Sequence, residues 1–285
     1  MAVSPPDTPS LTVDIVRWSR THQVALDDAV VTEEPLEIRV RAGTGSAYAT
    51  LAITMRTPGH DVELALGFLY GEGLLVARGD VLEAQICTTT SNVVNVTVRP
   101  DLDLRAKTES RRFYTTSSCG LCGRSSLDAV AAALKGRRVA GDRPVSTDTL
   151  TALPVLLRGR QTVFHATGGL HGCGLFTAGG ELVAVREDVG RHNAVDKLVG
   201  RSFLDGTLPG TDRILMLSGR AGFELVQKAV MAGISVVAAV GAPTSLAVEL
   251  ARTAGQTLVG FVTPERLNVY AGGHRLGLDG PAGGA

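Results

Sequence analysis

The chain has 285 residues, with 28 Lys and Arg against 28 Asp and Glu, and this zero balance argues against bulk electrostatic binding to nucleic acid or to an anionic membrane. A local basic pocket remains compatible with it. The chain is 44% hydrophobic and only 4% aromatic, so Val, Leu, Ala and Ile must build the interior of two domains or one large one.

The opening "MAVSPPDTPS" is polar and proline-rich, and residues 1–12 are expected to form a disordered tail. It lacks a basic cap followed by an apolar core, so no secretory signal is read there. The longest weakly polar run, "AVMAGISVVAAVGAP", is too short to span a bilayer. A cytoplasmic protein without membrane or nucleic-acid partners is the expectation. Its 4 cysteines form no disulfide framework. In a reducing compartment a C-x-x-C pair reads as metal-binding or catalytic.

Residues 13–104 read as a small α+β domain. "EPLEIRV" alternates, placing Leu36, Ile38 and Val40 on one face, and "AYATLAITM" completes a hairpin. "GHDVELALGFLYGEGLL" has helical spacing through Val62, Leu66, Leu69 and Tyr70, with Asp61 as its expected cap. "VLEAQIC" and "NVVNVTVRP" are two further strands. Residues 105–123 are polar and weakly periodic, and read as a linker ending in a cysteine loop; a loop this long is more often functional than idle.

Residues 124–270 alternate strand and helix, and the rest is expected to be a disordered tail. "GRQTVFHATGG" reads as a strand ending in glycines, "ELVAVRED" as a strand, and "VGRHNAVDKLVGRSF" as a helix with Val189, Ala194, Leu198 and Val199 inward. "DRILMLSG", "SVVAAVGA" and "TLVGFVT" are buried strands separated by the helices "GFELVQKAVMAG" and "TSLAVELARTAG", closed by Gly233 and Gly255. That alternation predicts a parallel sheet covered on both faces.

Ligands of such sheets sit beyond the C-terminal ends of the strands. There the sequence places Arg186 to Lys197, then Ser218-Gly219-Arg220, then Gly241 to Ser245 with Thr244, then Val262 to Arg266. Helix N-termini with small residues and arginines favour an anionic, phosphate-bearing ligand, although ordinary capping explains any one of these turns. In "REDVGRHNAVDKL", His192 and Asp196 share a helix face. By composition the run reads as a solvated, salt-bridged surface. The other reading has Asp196 orienting His192 or pairing with an arginine. "HATGGLHGCG" reads as a turn with a core histidine.

Cys119 and Cys122 precede "GRSSLDAVAAAL", which Ser117 or Ser118 can cap. Arg111, Arg112 and Arg124 surround them and no acid lies between Ser110 and Leu127, so a thiolate is favoured. Three readings stand. A zinc site would need Cys173, His165 and His171 to complete it at irregular spacing. A thioredoxin-type pair should end the first strand of a βαβ unit. A nucleophilic thiolate carrying a transferable group, such as a persulfide sulfur, suits an open, low-pKa cysteine beside a resolving one.

The blocks "SSCGLCG", "TGGLH", "REDVGRHNAVDK", "SGRAGFELVQKA", "APTSLAVELA" and "LVGF", in this order, resemble the formate dehydrogenase accessory sulfurtransferase family, FdhD. The resemblance implies an α/β protein whose C-terminal domain is similar to the cytidine deaminase fold. It implies a sulfurtransferase that takes persulfide sulfur from a cysteine desulfurase. The sulfur passes to the bis-guanine-dinucleotide molybdenum cofactor (Mo-bis-MGD) used by formate dehydrogenase. Cys119 maps to the persulfide carrier and Cys122 to a second, assisting cysteine. Phe261, Val262, Thr263, Pro264, Glu265 and Arg266 map to the cofactor-binding segment, with Ser218, Gly219, Arg220, His192, Thr244 and Ser245 as further crevice lining. It also implies a homodimer and no structural metal.

Thr263 departs from the family pattern, which often has an arginine there. Cys173 stands where small residues are usual and reads as packing. A zinc deaminase needs H-x-E with P-C-x-x-C downstream, and here His165 is followed by Ala166 and Thr167, with the cysteine pair upstream. A non-catalytic cofactor chaperone is the alternative, and it differs from a carrier in not needing Cys119.

Overall fold

Alternation in Leu36, Ile38 and Val40, and in Val94, Val96 and Val98, puts one wholly apolar face on a sheet, and every one of these side chains is buried. A computed structural model describes residues 8–102, 104 and 136–278. The first sheet has the order β4-β3-β6-β5, from β3 (Glu34–Ala42), β4 (Ala49–Arg56), β5 (Val81–Ile86) and β6 (Val93–Val98). β3 runs antiparallel to β4 and parallel to β6. Helix α1 (Asp61–Gly71) connects β4 to β5 and covers the apolar face. The expected β-β-α-β-β order is therefore present.

Three details differ. A hairpin of β1 (Ser10–Trp18) and β2 (Gln23–Val31) precedes the sheet, so residues 10–12 are strand rather than tail. The alternation of Leu11, Val13 and Ile15 carries that strand, and the prolines before it hid its start. Asp61 does not cap α1. His60 precedes the helix at φ 60°, while the Asp61 carboxylate accepts two hydrogen bonds from the buried Arg56, at 3.0 and 2.9 Å. The pull of a buried guanidinium outweighs a local cap.

The second sheet has the order β12-β11-β10-β9-β7-β8. Ser146 caps α2 (Thr147–Arg158) by accepting the Thr149 N–H at 3.0 Å. The strand expected in "GRQTVFHATGG" is instead the short helix α3 (Thr162–Thr167), closed by Gly168 at φ 70°. Its cause is tertiary: the Glu187 carboxylate accepts from the N–H groups of Val163 and Phe164 at 3.1 and 2.9 Å, caps that no local residue supplies. The strand lies just beyond, as β7 (His171–Thr177), followed by β8 (Leu182–Asp188).

Helix α4 (Arg191–Leu204) leads to β9 (Arg213–Leu217), α5 (Phe223–Met231), β10 (Val236–Ala239), α6 (Ser245–Ala254), β11 (Thr257–Gly260) and β12 (Asn268–Ala271). β9, β10 and β11 are parallel, as the alternation predicts; β7 and β12 run opposite to their neighbours. Residues 271–278, expected to belong to a tail, are structured: they finish β12 and form a short helical turn over Gly273–Leu276. Arg275 is buried, and its guanidinium donates to the carbonyls of Gly141 at 2.7 Å and Gly255 at 2.8 Å.

The charge run around α4 is not a solvated surface. Asp188, Asn193, Asp196 and Lys197 are all buried. Lys197 Nζ lies 2.7 Å from Asp188 and donates to the Thr57 carbonyl at 2.8 Å. Asn193 donates to the Met55 carbonyl at 2.7 Å. Asp196 pairs with Lys228 of α5 at 2.7 and 3.0 Å, not with His192 or an arginine. Charge composition cannot distinguish a wet face from a buried joint whose charges are matched. Here it is the joint between the two sheets' helices.

Candidate functional site

The loops at the C-terminal ends of β9, β10 and β11 are tied into one rim. Gly241 N–H donates to the Gly219 carbonyl at 2.9 Å, and Phe261 N–H to the Gly241 carbonyl at 3.2 Å. Ala221 and Pro243 form a parallel bridge, and Thr244 N–H donates back to Ala221 at 3.1 Å. Space at 241 is tight, since a Cβ there would lie 3.0 Å from the Arg220 Cα. Ser218 extends the rim to β7: its N–H donates to the Gly172 carbonyl and its Oγ accepts the Gly172 N–H, at 3.0 and 2.9 Å.

Three helices start on this edge. Their N-cap residues are Gly190 for α4, Gly222 for α5 and Thr244 for α6, and none makes a side-chain cap hydrogen bond. Their first N–H groups and the positive ends of their dipoles are left for an anion. Arg220 is exposed beside them and Arg191 is half-buried.

Of the residues singled out in the sequence, Gly219, Thr244 and Phe261 take part in the bonds between these loops, Ser218 and Arg220 flank Gly219 in the chain, and Ser245 follows as the first residue of α6. Phe261 is exposed and sits at φ 52°, an uncommon conformation for a non-glycine residue. Thr263 organises the next turn: its Oγ1 accepts the N–H groups of Glu265 and Arg266 at 3.3 and 3.2 Å. Pro264, Glu265 and Arg266 are exposed. Val262 is different. Its side chain is in the core, so it offers a ligand only its backbone.

His192 lies in the first turn of α4, and its Nε2 is 3.0 Å from Glu224 in the first turn of α5. Burial, with Lys228, Arg191 and His171 nearby, pushes its imidazole down to about 3. Burial beside Arg191 also lowers His171, whose ring lies against Gly219. Glu224 was missed in the sequence because an acid in a helix's first turn reads as an ordinary match to the dipole. Its partner comes from another helix, which no local pattern reveals.

Cys119 and Cys122 lie outside the described residues. Cys173 is buried in the main core of the second sheet, and burial pushes its thiol up, as suits packing. His165 Nε2 is 2.7 Å from the Arg158 carbonyl. Among the described residues no three His, Cys, Asp or Glu side chains group to hold a metal, so His165, His171 and Cys173 are not brought together. Nor is any described helix long and apolar enough to cross a membrane.

A model of the FdhD/NarQ family matches residues 31–277. The chain belongs to the FdhD/NarQ family. It is 52% identical over 261 residues to a protein of Streptomyces avermitilis named sulfur carrier protein FdhD, covering 88% of this chain and 90% of that one. A protein of the same name from Nocardia farcinica is 46% identical over 269 residues, covering 92% and 93% of the two chains. The fold is shared with the crystal structure of a candidate formate dehydrogenase accessory protein from Desulfotalea psychrophila. The TM-score is 0.74 at 23% identity, covering 94% of this chain and all of the other. The four-stranded and six-stranded sheets and the rim at the ends of β9, β10 and β11 fall inside the matched span.

Proposed function

We propose that this FdhD/NarQ chain is a cytoplasmic sulfur carrier that serves formate dehydrogenase, with Cys119 as the sulfur-bearing residue. The observation that carries the reading is the pairing of family membership across residues 31–277 with a rim suited to phosphates, three uncapped helix starts beside Arg191 and Arg220. The curated relatives are named sulfur carriers.

In this reading the Cys119 thiolate takes the sulfane sulfur of a cysteine desulfurase's persulfide, releasing the desulfurase's cysteine thiolate. Cys119 then carries a terminal sulfur, and it returns to a thiolate when that sulfur is handed on. Cys122 assists by resolving or protecting the carrier. The acceptor is Mo-bis-MGD, which supplies a metal able to bind the delivered sulfur. Residues 218–220, Thr244, Ser245 and 261–266 hold its guanine-dinucleotide arms, through backbone N–H groups and arginine forks. The glycines at 219 and 241 fit this less directly, by letting the two loops that carry Arg220 and Thr244 pack closely against each other. The protein works as a homodimer.

The decisive experiment is intact mass after incubation with a cysteine desulfurase and cysteine. One added sulfur on the wild type, lost in Cys119→Ala, is expected. In cells Cys119→Ala should fold and bind cofactor but yield inactive formate dehydrogenase. Full formate dehydrogenase activity with that variant would instead establish a chaperone that needs no sulfur chemistry.

A further inference from the structure

Asp196 is the sixth residue of α4, and Lys228 is the sixth of α5. Two helices that begin on the same rim are therefore bonded at equal depth, roughly 7 Å below their first residues. Lys228 Nζ donates to both carboxylate oxygens of Asp196, at 2.7 and 3.0 Å. Both residues are buried, with 3% and 7% of their surface exposed. Helix α1 closes the third side. Its Phe68 ring centroid lies 5.6 Å from Nζ, and a Cβ added to Gly71 would lie 3.4 Å from the same atom.

A buried pair of this kind is a poor source of stability. Taking two charges out of water costs about what their attraction returns, and an apolar pair of similar volume often serves as well or better. What the pair supplies is register, because a bonded pair has one geometry whereas apolar contact is non-directional. The rest of the core that α4 and α5 share is of the second kind: Ala194 and Leu198 from one helix lie in the same cluster as Leu225 and Ala229 from the other. Such contacts alone tolerate a slide of one helix along its neighbour. A slide would offset the two helix starts, whose first N–H groups have no side-chain cap. We infer that Asp196 and Lys228 are positioning residues of the rim: their bond levels the N-termini of α4 and α5, so that both address one anionic group. The inference rests on the phosphate-binding rim proposed above, and it places a control of that rim outside the crevice, in the joint beneath it.

The test removes the register without removing the packing. The double variant Asp196→Leu, Lys228→Met keeps the shape of both side chains in the full chain and should stay folded by circular dichroism. It should melt within a few degrees of the wild type or above it. Two readouts then separate levelling from stability. The first is amide hydrogen exchange at Ala194 and Val226, whose N–H groups close the first turns on the carbonyls of Gly190 and Gly222 at 3.0 and 3.2 Å. Exchange at both should speed up by at least roughly tenfold, while the amides of β9 and β10 keep their wild-type rates. The second is calorimetric titration with inorganic pyrophosphate, whose affinity should fall at least roughly tenfold. Lys228→Met alone leaves a buried carboxylate without its counter-charge and should melt below the double variant. Failure of the double variant to fold, or exchange unchanged at Ala194 and Val226, would make the pair a plain structural brace and overturn the inference. Pyrophosphate affinity unchanged in spite of faster exchange would overturn it too. So would a single variant that melts no lower than the double, since the two residues would then not act as a pair. Wild-type protein that binds no pyrophosphate would instead sink the phosphate reading of the rim, and the exchange rates would decide the levelling by themselves.

Discussion

Gly67 of α1 meets Asp196 of α4 backbone to backbone: a Cβ added to Gly67 would lie 1.8 Å from the Asp196 carbonyl oxygen. The contact is reciprocated, since a Cβ on Gly200 of α4 would lie 1.8 Å from the Glu63 carbonyl oxygen of α1. The helix covering the first sheet and the helix leading into the rim are thus pressed together at two points where only glycine fits. No rotamer change relieves a clash with main chain. Gly67→Ala and Gly200→Ala should each cost about 3 kcal/mol or more, at the upper end of overpacking effects. Denaturant unfolding of each variant checks this, and a loss under about 1 kcal/mol would show that the helices separate easily.

The same joint carries an ion pair with a pH signature. Arg186 of β8 donates through Nε and Nη2 to the two oxygens of Glu63, and His60 is 3.4 Å from the same carboxylate. Burial pushes the Glu63 carboxyl up, but the Arg186 and His60 contacts outweigh it and hold it at about 2, against 4.5 when unperturbed. A carboxylate lowered on folding stabilises fully above its unfolded value, and that stability is lost as pH falls through the folded one. Stability should therefore decline as pH drops from about 4.5 towards 2. In Arg186→Gln the decline should be shallower, from a lower plateau. Urea midpoints measured across that range test it, and an unchanged acid limb in Arg186→Gln would remove Glu63 as its source.

Most of the second sheet was legible in the sequence because short, all-apolar strands such as "RILML" and glycine-closed helices such as α5 and α6 signal themselves locally. The rim was legible for the same reason, since strand ends follow from strand assignments. What was not legible depends on partners distant in sequence. α3 needs the Glu187 carboxylate from β8, β7 is disguised by Gly172 and Gly174, and the charge run around α4 needs Thr57 and Lys228 to be buried. Glu224 belongs to this group.

The cysteines outside the C-x-x-C pair should differ sharply in reactivity. Cys173 is sealed in the core and its thiol is pushed up by burial, whereas Cys87 is partly exposed, with its sulfur 3.2 Å from the Thr89 hydroxyl, which lowers it. The thiolate is the reactive form. In a Cys119→Ala, Cys122→Ala double variant, iodoacetamide at neutral pH should add one label per native chain, on Cys87, and a second only after denaturation. Labelling of native Cys173 on the same timescale would show that the core opens readily. Cys173→Ala should keep sulfur loading of Cys119 and cost about 1–2 kcal/mol of stability through the cavity it leaves.

The rim's own geometry can be perturbed with a single methyl group. Gly241 needs no unusual backbone angle, so alanine there is opposed only by space: its Cβ would lie 3.0 Å from the Arg220 N and Cα. Those atoms belong to the loop between β9 and α5, and Gly241 also hydrogen-bonds to that loop through Gly219 and to Phe261 beyond it. Relief therefore requires the loops to part, which shifts Arg220 and the α5 N-terminus relative to residues 261–266. The strands below are bonded independently and should hold, so the cost in stability should stay within about 1–3 kcal/mol. Ligand binding should suffer more, because each donor on the rim must be placed to within a fraction of an ångström to work together. GDP affinity in Gly241→Ala should fall at least roughly tenfold while the chain stays folded at 25 °C. Affinity unchanged alongside a clear drop in melting temperature would place the phosphate-binding groups away from the Gly219–Gly241 contact.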